Sequence, residues 1–198
     1  MQNGRFLVLQ LSPSFLPALI VLGVDPSSTS TGYGLVKSHQ RKYHYLECGC
    51  IRAPTGMSFE DRLVFMHDQL GEIIASTSPQ QAAIESTFFG KDANATARLG
   101  EARGVLVLAA RKAGLPIAHY APAEVKKAVV GRGQATKEQV QFMIKRLLGL
   151  KEVPRPLDAS DALAIALCHL HQPDFNAHQV GRPRKPEIEA LLQRVKRR

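Results

Sequence analysis

Seven consecutive residues, Leu19–Ile20–Val21–Leu22–Gly23–Val24–Asp25, run from apolar side chains straight into a carboxylate. A run of this kind reads as a strand buried on both faces of a sheet. A carboxylate at its end must be paired, hydrogen-bonded or bound to a cation, because burying a bare charge is costly. Gly32 and Gly34, preceded by Pro26 and several Ser and Thr residues, predict a turn into a second strand. An Asp on a central strand is the seed of an acidic site, and the remaining chain must supply its partners.

A second apolar strand, Ala82–Ala83–Ile84, ends in Glu85. Between the two acids the chain predicts a strand over Gly34–Lys37, a hairpin through Ser38–Lys42, and a strand Tyr43–Ile51 with one wet face. A helix follows, capped by Ser58 and reaching about Ala75, with Leu63, Met66, Leu70, Ile73 and Ile74 on one side. Beyond Glu85 the pattern predicts a loop with adjacent Phe88 and Phe89, a helix from about Ala93 to Ala113 ended by Gly114, and a strand over Pro116–Tyr120. A short helix then spans Pro122–Val130, another is capped by Thr136 and ends near Gly149, and the last opens at Leu157.

That last helix carries Asp158 and Asp161 in its first turn, about 60° apart with a rise of about 4.5 Å. Acids are common at helix starts because the helix dipole favours them there. The Ala, Leu and Ile residues that follow, however, predict a helix packed into the domain. If the strands ending in Asp25 and Glu85 are neighbours, that helix can present Asp158 and Asp161 to them. Four such carboxylates repel one another unless divalent cations neutralise them. Mg²⁺ suits oxygen ligands and is usually shared with substrate phosphate. His169 lies about 12 Å along the helix from Asp161, too far to share an ion, so His169 and His171 read as structural or surface residues.

The chain carries 26 Lys and Arg against 17 Asp and Glu, a formal net charge of +9. That balance favours a polyanionic partner, nucleic acid before a membrane surface, with solubility alone as the plainer alternative. Three cysteines at no zinc-finger spacing (Cys48, Cys50, Cys168) suggest a reducing compartment, with Cys48 and Cys50 filling core. Residues 5–24 imitate a signal peptide, but Pro13 and Pro17 break the run, and no stretch reaches membrane-spanning length uninterrupted. The expected organisation is an N-terminal extension over 1–17, a folded domain over 18–173, and a basic tail over 174–198.

Five segments resemble the RuvC family of Holliday-junction resolvases: Leu22–Pro26 with Thr31–Gly34, Ala83–Glu85, Leu99–Val105, Val125–Lys126 with Val129–Gly131, and Asp158–Ala166. They occur in the right order over residues 19–172. The resemblance implies a ribonuclease-H-like α/β fold, with a mixed five-stranded sheet flanked by helices. It also implies a homodimer that cuts four-way junction DNA by symmetric nicks in two strands of like polarity. By position, Asp25, Glu85, Asp158 and Asp161 would be the catalytic, metal-binding acids, holding two Mg²⁺ ions for which Mn²⁺ can substitute. Phe88 would stack on bases at the junction centre, and Lys126 and Lys137 would lie near the scissile phosphate, with Arg132 a further DNA contact. The helix from Ala93 would contribute to the dimer interface. A branch-migration complex, RuvA with RuvB, and a cytoplasmic location are likewise implied, with no membrane partner. Ser27 departs from the family, which often has Gly there, and puts the following turn in doubt.

Three other readings compete. An actin-like or sugar-kinase ATPase also follows a strand Asp with Gly and Thr, but needs a second domain and phosphate loop. A non-catalytic junction-binding module would gain nothing from four acids facing phosphate. A related nuclease acting on RNA differs only in its substrate.

Overall fold

The computed structural model describes residues 18–40, 42–86 and 92–172. Strands β1 (Leu19–Asp25), β2 (Ser30–His39) and β3 (Lys42–Arg52) form a meander, followed by helix α1 (Phe59–Thr77). Then come β4 (Gln81–Glu85), α2 (Ala93–Lys112), β5 (Ile117–Tyr120), and three helices, α3 (Pro122–Val130), α4 (Lys137–Leu147) and α5 (Leu157–Leu170). The sheet order is β3-β2-β1-β4-β5. β1 pairs antiparallel with β2 and parallel with β4, and β4 pairs parallel with β5, so the expected mixed five-stranded sheet is present. The extension over 1–17, the tail from 174 and Phe88 lie outside the described residues.

Two-residue periodicity divides the core between the faces of the sheet. Leu19, Val21, Val36 and Ala83 pack with Val125, Val140, Leu163 and Leu167, under α3, α4 and α5. Leu22, Val24, Leu35 and Ile84 pack with Met66, Leu70, Ala102 and Leu106, under α1 and α2. Helix ends follow local chemistry. Ser58 accepts from Asp61 N at 3.0 Å, and Thr136 and Gln139 cap α4 reciprocally. α1 runs two residues past the expected Ala75, and α4 stops at Leu147, short of Gly149.

One expectation is overturned. Gly32 is not in a turn; β2 already begins at Ser30, four residues before the expected start at Gly34, and both glycines lie within it. Gly23 faces Gly34 across the β1–β2 ladder. A Cβ built on Gly23 would collide with the carbonyl oxygen of Ala162, one on Gly32 with that of Asp158, and one on Gly34 with Leu163 at 2.8 Å. The three glycines form a bare track on which α5 lies directly against the sheet backbone. The actual turn, over residues 26–29, is organised by Ser27, whose hydroxyl accepts from Thr29 N at 3.3 Å and Ser30 N at 3.4 Å. Ser27 has no left-handed backbone, so Ser in place of Gly leaves this turn intact.

Candidate active site

Strand parity aims the first two acids. Val21 in β1 and Ala83 in β4 face α5, and two and four residues on, Glu85 and Asp25 point the same way. Val24 pairs with Ile84, so the residues that follow, Asp25 and Glu85, end adjacent parallel strands side by side.

Helix α5 delivers the other two. Leu163, Ile165 and Leu167 are essentially fully buried, together about 6 kcal/mol of apolar burial at ~2 kcal/mol each. Repulsion between two carboxylates about 4 Å apart costs roughly 1 kcal/mol in water and ~4 kcal/mol near a protein surface. The packing therefore holds α5 on its glycine track even though its first turn carries acids toward other acids.

Electrostatics report the convergence. The Asp25 carboxyl is pushed up to about 8, by burial first, then by Glu85, Asp161 and Asp158, and by its hydrogen bond with Glu85. Burial also raises Glu85, against which the Asp25 hydrogen bond and the Lys137 and Lys126 charges pull down. Asp161 is raised by burial and opposed by Lys137. A hydrogen bond between two carboxyls requires that one hold a proton. Two carboxyls raised in this way favour either a proton or a cation between them, and an all-oxygen donor set suits Mg²⁺.

Asp25, Glu85 and Asp161 line a cleft of about 310 Å³ together with Lys126 from α3 and Lys137 from α4. Lys137 Nζ lies 3.7 Å from Asp161 Oδ2, and this exposed ammonium beside a half-buried carboxylate is well placed for an anion. Asp158 is turned toward β2. Its Oδ2 accepts from Ser30 Oγ at 3.0 Å and lies 4.0 Å from Cys50 Sγ. Among the described residues no three His, Cys, Asp or Glu side chains form a ready-made metal cage.

Of the other predicted residues, Arg132 is exposed in the α3–α4 loop and does not line this cleft. His169 is buried, with Nδ1 at 2.6 Å from Tyr120 Oη and Nε2 at 2.6 Å from Gln81 Oε1, tying α5 to β4 and β5. His171 Nδ1 lies 3.0 Å from the Ala128 carbonyl. Both are structural, as expected from the sequence. Sequence reasoning missed Ser30 and Arg103, which reach Asp158 and Glu85 from distant elements. No local spacing announces either contact.

The family model of crossover junction endodeoxyribonuclease RuvC matches residues 21–169. The chain belongs to the RuvC family. It is 46% identical over 153 residues to a RuvC from Pelotomaculum thermopropionicum, covering 77% of this chain and 93% of that one. It is 48% identical over 152 residues to RuvC from Tolumonas auensis, covering 77% and 87%. Among solved structures, Thermus thermophilus RuvC in complex with Holliday junction substrate matches with a TM-score of 0.73 and 34% identity, over 81% of this chain and 96% of that chain. The yeast mitochondrial Holliday junction resolvase, at 13% identity and a TM-score of 0.55, shares the fold. The RuvC likeness makes this a ribonuclease-H-like fold, and RuvC nucleases are metal-dependent.

Proposed function

We propose that the protein is a Mg²⁺-dependent endonuclease that resolves Holliday junctions by paired nicks, with Asp25, Glu85, Asp158 and Asp161 as its catalytic acids. The observation that carries this is the convergence of acids from β1, β4 and α5 at one end of the sheet, beside Lys126 and Lys137. These four carboxylates would hold two Mg²⁺ ions, which when bound make water nucleophilic and offset charge on the leaving oxygen of a phosphodiester.

The chain's own residues do the rest. Lys126 and Lys137 draw the scissile phosphate into the cleft by charge. The half-buried setting of Asp25 and Glu85 limits their contact with bulk water and strengthens interactions there. Asp158, held by its Ser30 hydrogen bond, would complete the donor set. Phe88, Arg132 and the basic tail extend DNA contact away from the cut.

The enzyme acts as a homodimer joined through α2, whose outer face exposes Leu108 at 52%, next to α1 with Val64 at 61%. Two sites related by a twofold axis account for symmetric nicks. By its likeness to the family, we place it in the cytoplasm, loaded by RuvA with RuvB. The test is a four-way junction labelled in turn on each strand and incubated with Mg²⁺. Two symmetric nicks in strands of like polarity, sealable by ligase, are expected. Unchanged junction, or equal cutting of plain duplex, would overturn the reading.

A further inference from the structure

A second cleft, of about 470 Å³, opens on the other side of Asp158, between the β1–β2 turn and the β3–α1 loop. Arg52 and Arg62 line it with Thr29, Ser30 and Thr55, and none of the residues lining it is acidic. Two guanidinium groups, hydroxyls and no carboxylate make a surface suited to a phosphate. Arg62 Nε donates to the Ser58 carbonyl at 3.4 Å, and its guanidinium stacks 5.7 Å from the Phe59 ring centre. One such bond leaves most of its five N–H donors for a ligand.

The cleft is wired to the acids. Arg52 Nη2 donates to Ser30 Oγ at 3.5 Å, and Ser30 Oγ donates to Asp158 Oδ2 at 3.0 Å. In the sheet order, the Lys126–Lys137 cleft lies at the ends of β1 and β4, and this one lies at β2 and β3. Two strand spacings separate them, about 10 Å, with the first turn of α5 between. A single DNA strand crossing that turn would meet lysines on one side of the acids and arginines on the other.

We propose that the Arg52–Arg62 cleft is a second phosphate site, which grips the cleaved DNA strand within a few nucleotides of the scissile bond. The proposal rests on the nuclease reading and adds the path of the strand. Its ligand is a backbone phosphodiester, read by charge and without regard to sequence.

The test replaces single phosphates by uncharged methylphosphonates, at three positions on each side of the cut. Junction binding is measured without divalent cation, so that effects passing through Asp158 chemistry do not enter. One flanking substitution is expected to weaken wild-type binding about tenfold. The same substitution should cost less than about twofold in the double variant Arg52→Gln/Arg62→Gln, whose slope of log K against log salt should be shallower by about one to two. Wild-type binding indifferent to every flanking position would overturn the proposal without any variant, so misfolding cannot shield it. A well-folded double variant with the wild-type slope would overturn it as well. Either result leaves junction cutting by the wild type intact, whereas a wild type that neither binds nor cuts the junction removes the nuclease reading and this site together.

Discussion

Arg103 Nε donates to the backbone carbonyl of Glu85 at 3.0 Å, while its Nη2 lies 2.7 Å from His119 Nδ1. Burial, and then the Arg103 charge, lower the His119 pKa, which keeps that imidazole an uncharged acceptor. Arg103 stands on α2, on the opposite side of the sheet from α5, so it clamps the end of β4 from behind. The clamp fixes where the Glu85 carboxylate is presented. Arg103→Ala should leave junction affinity within about twofold and lower the single-turnover cutting rate at least tenfold, from loss of a charge-assisted bond worth ~1.5–3 kcal/mol. Arg103→Lys should recover part of it. A cutting rate unchanged in Arg103→Ala would refute the clamp.

The Asp25 carboxyl sets a pH dependence of stability in the metal-free protein. Its value is near 8 in the fold against 3.8 when free, so between those limits the folded chain holds a proton that the unfolded chain has released. Stability is full below about pH 4 for this group and declines as pH rises toward 8. Glu85 and Asp161, also raised, act in the same direction. In thermal melts without divalent cation, Asp25→Asn should gain on the wild type as pH rises from 5 to 8, by on the order of 3 kcal/mol. Mg²⁺ should narrow that gap by stabilising the wild type. Parallel melting curves across this range would refute the convergence of acids.

Gly23 is expected to tolerate no side chain. A Cβ there meets the Ala162 carbonyl and lies 2.8 Å from Ala166 N, both backbone atoms of α5 that cannot rotate aside. Gly23→Ala should destabilise by about 2–3 kcal/mol, as overpacking does, and lower Tm by roughly 5–10 °C. Gly71, whose Cβ would meet nothing within 4 Å, is the control. Gly71→Ala should be neutral or stabilising. Equal melting temperatures for Gly23→Ala and the wild type would contradict direct backbone packing of α5.

What the sequence disclosed about this fold depended on whether the signal was local. The apolar runs ending in Asp25 and Glu85 are local signals, so the two strands and the acids at their ends could be read directly, whereas the pairing of β1 with β4 that sets those acids side by side was a condition only the structure supplied. The glycines could not. A glycine that permits a left-handed turn and one that admits a neighbouring backbone look alike in a row of letters, and Ser and Thr before Gly32 favoured the turn. What distinguishes them is α5, which arrives from the far end of the chain. The Ser30–Asp158 contact joins residues 128 apart, and the Arg103–Glu85 clamp crosses from a helix to a strand end. Neither leaves a periodic trace.

The proposed dimer makes its own demand on Leu108, exposed on α2. Leu108→Glu would place charges at a twofold apolar contact, and the variant should sediment as a monomer at micromolar concentration. Its nicks, where they occur, should become independent in the two strands. A dimer that persists unchanged would move the interface away from this face of α2.

The most direct measurement compares single-turnover nicking of a labelled four-way junction by the wild type and by Asp25→Asn in Mg²⁺. The account predicts that both bind the junction alike, and that the variant cuts at least about a thousandfold more slowly, the scale of several kcal/mol of lost charge stabilisation. Cutting by Asp25→Asn at the wild-type rate would contradict it.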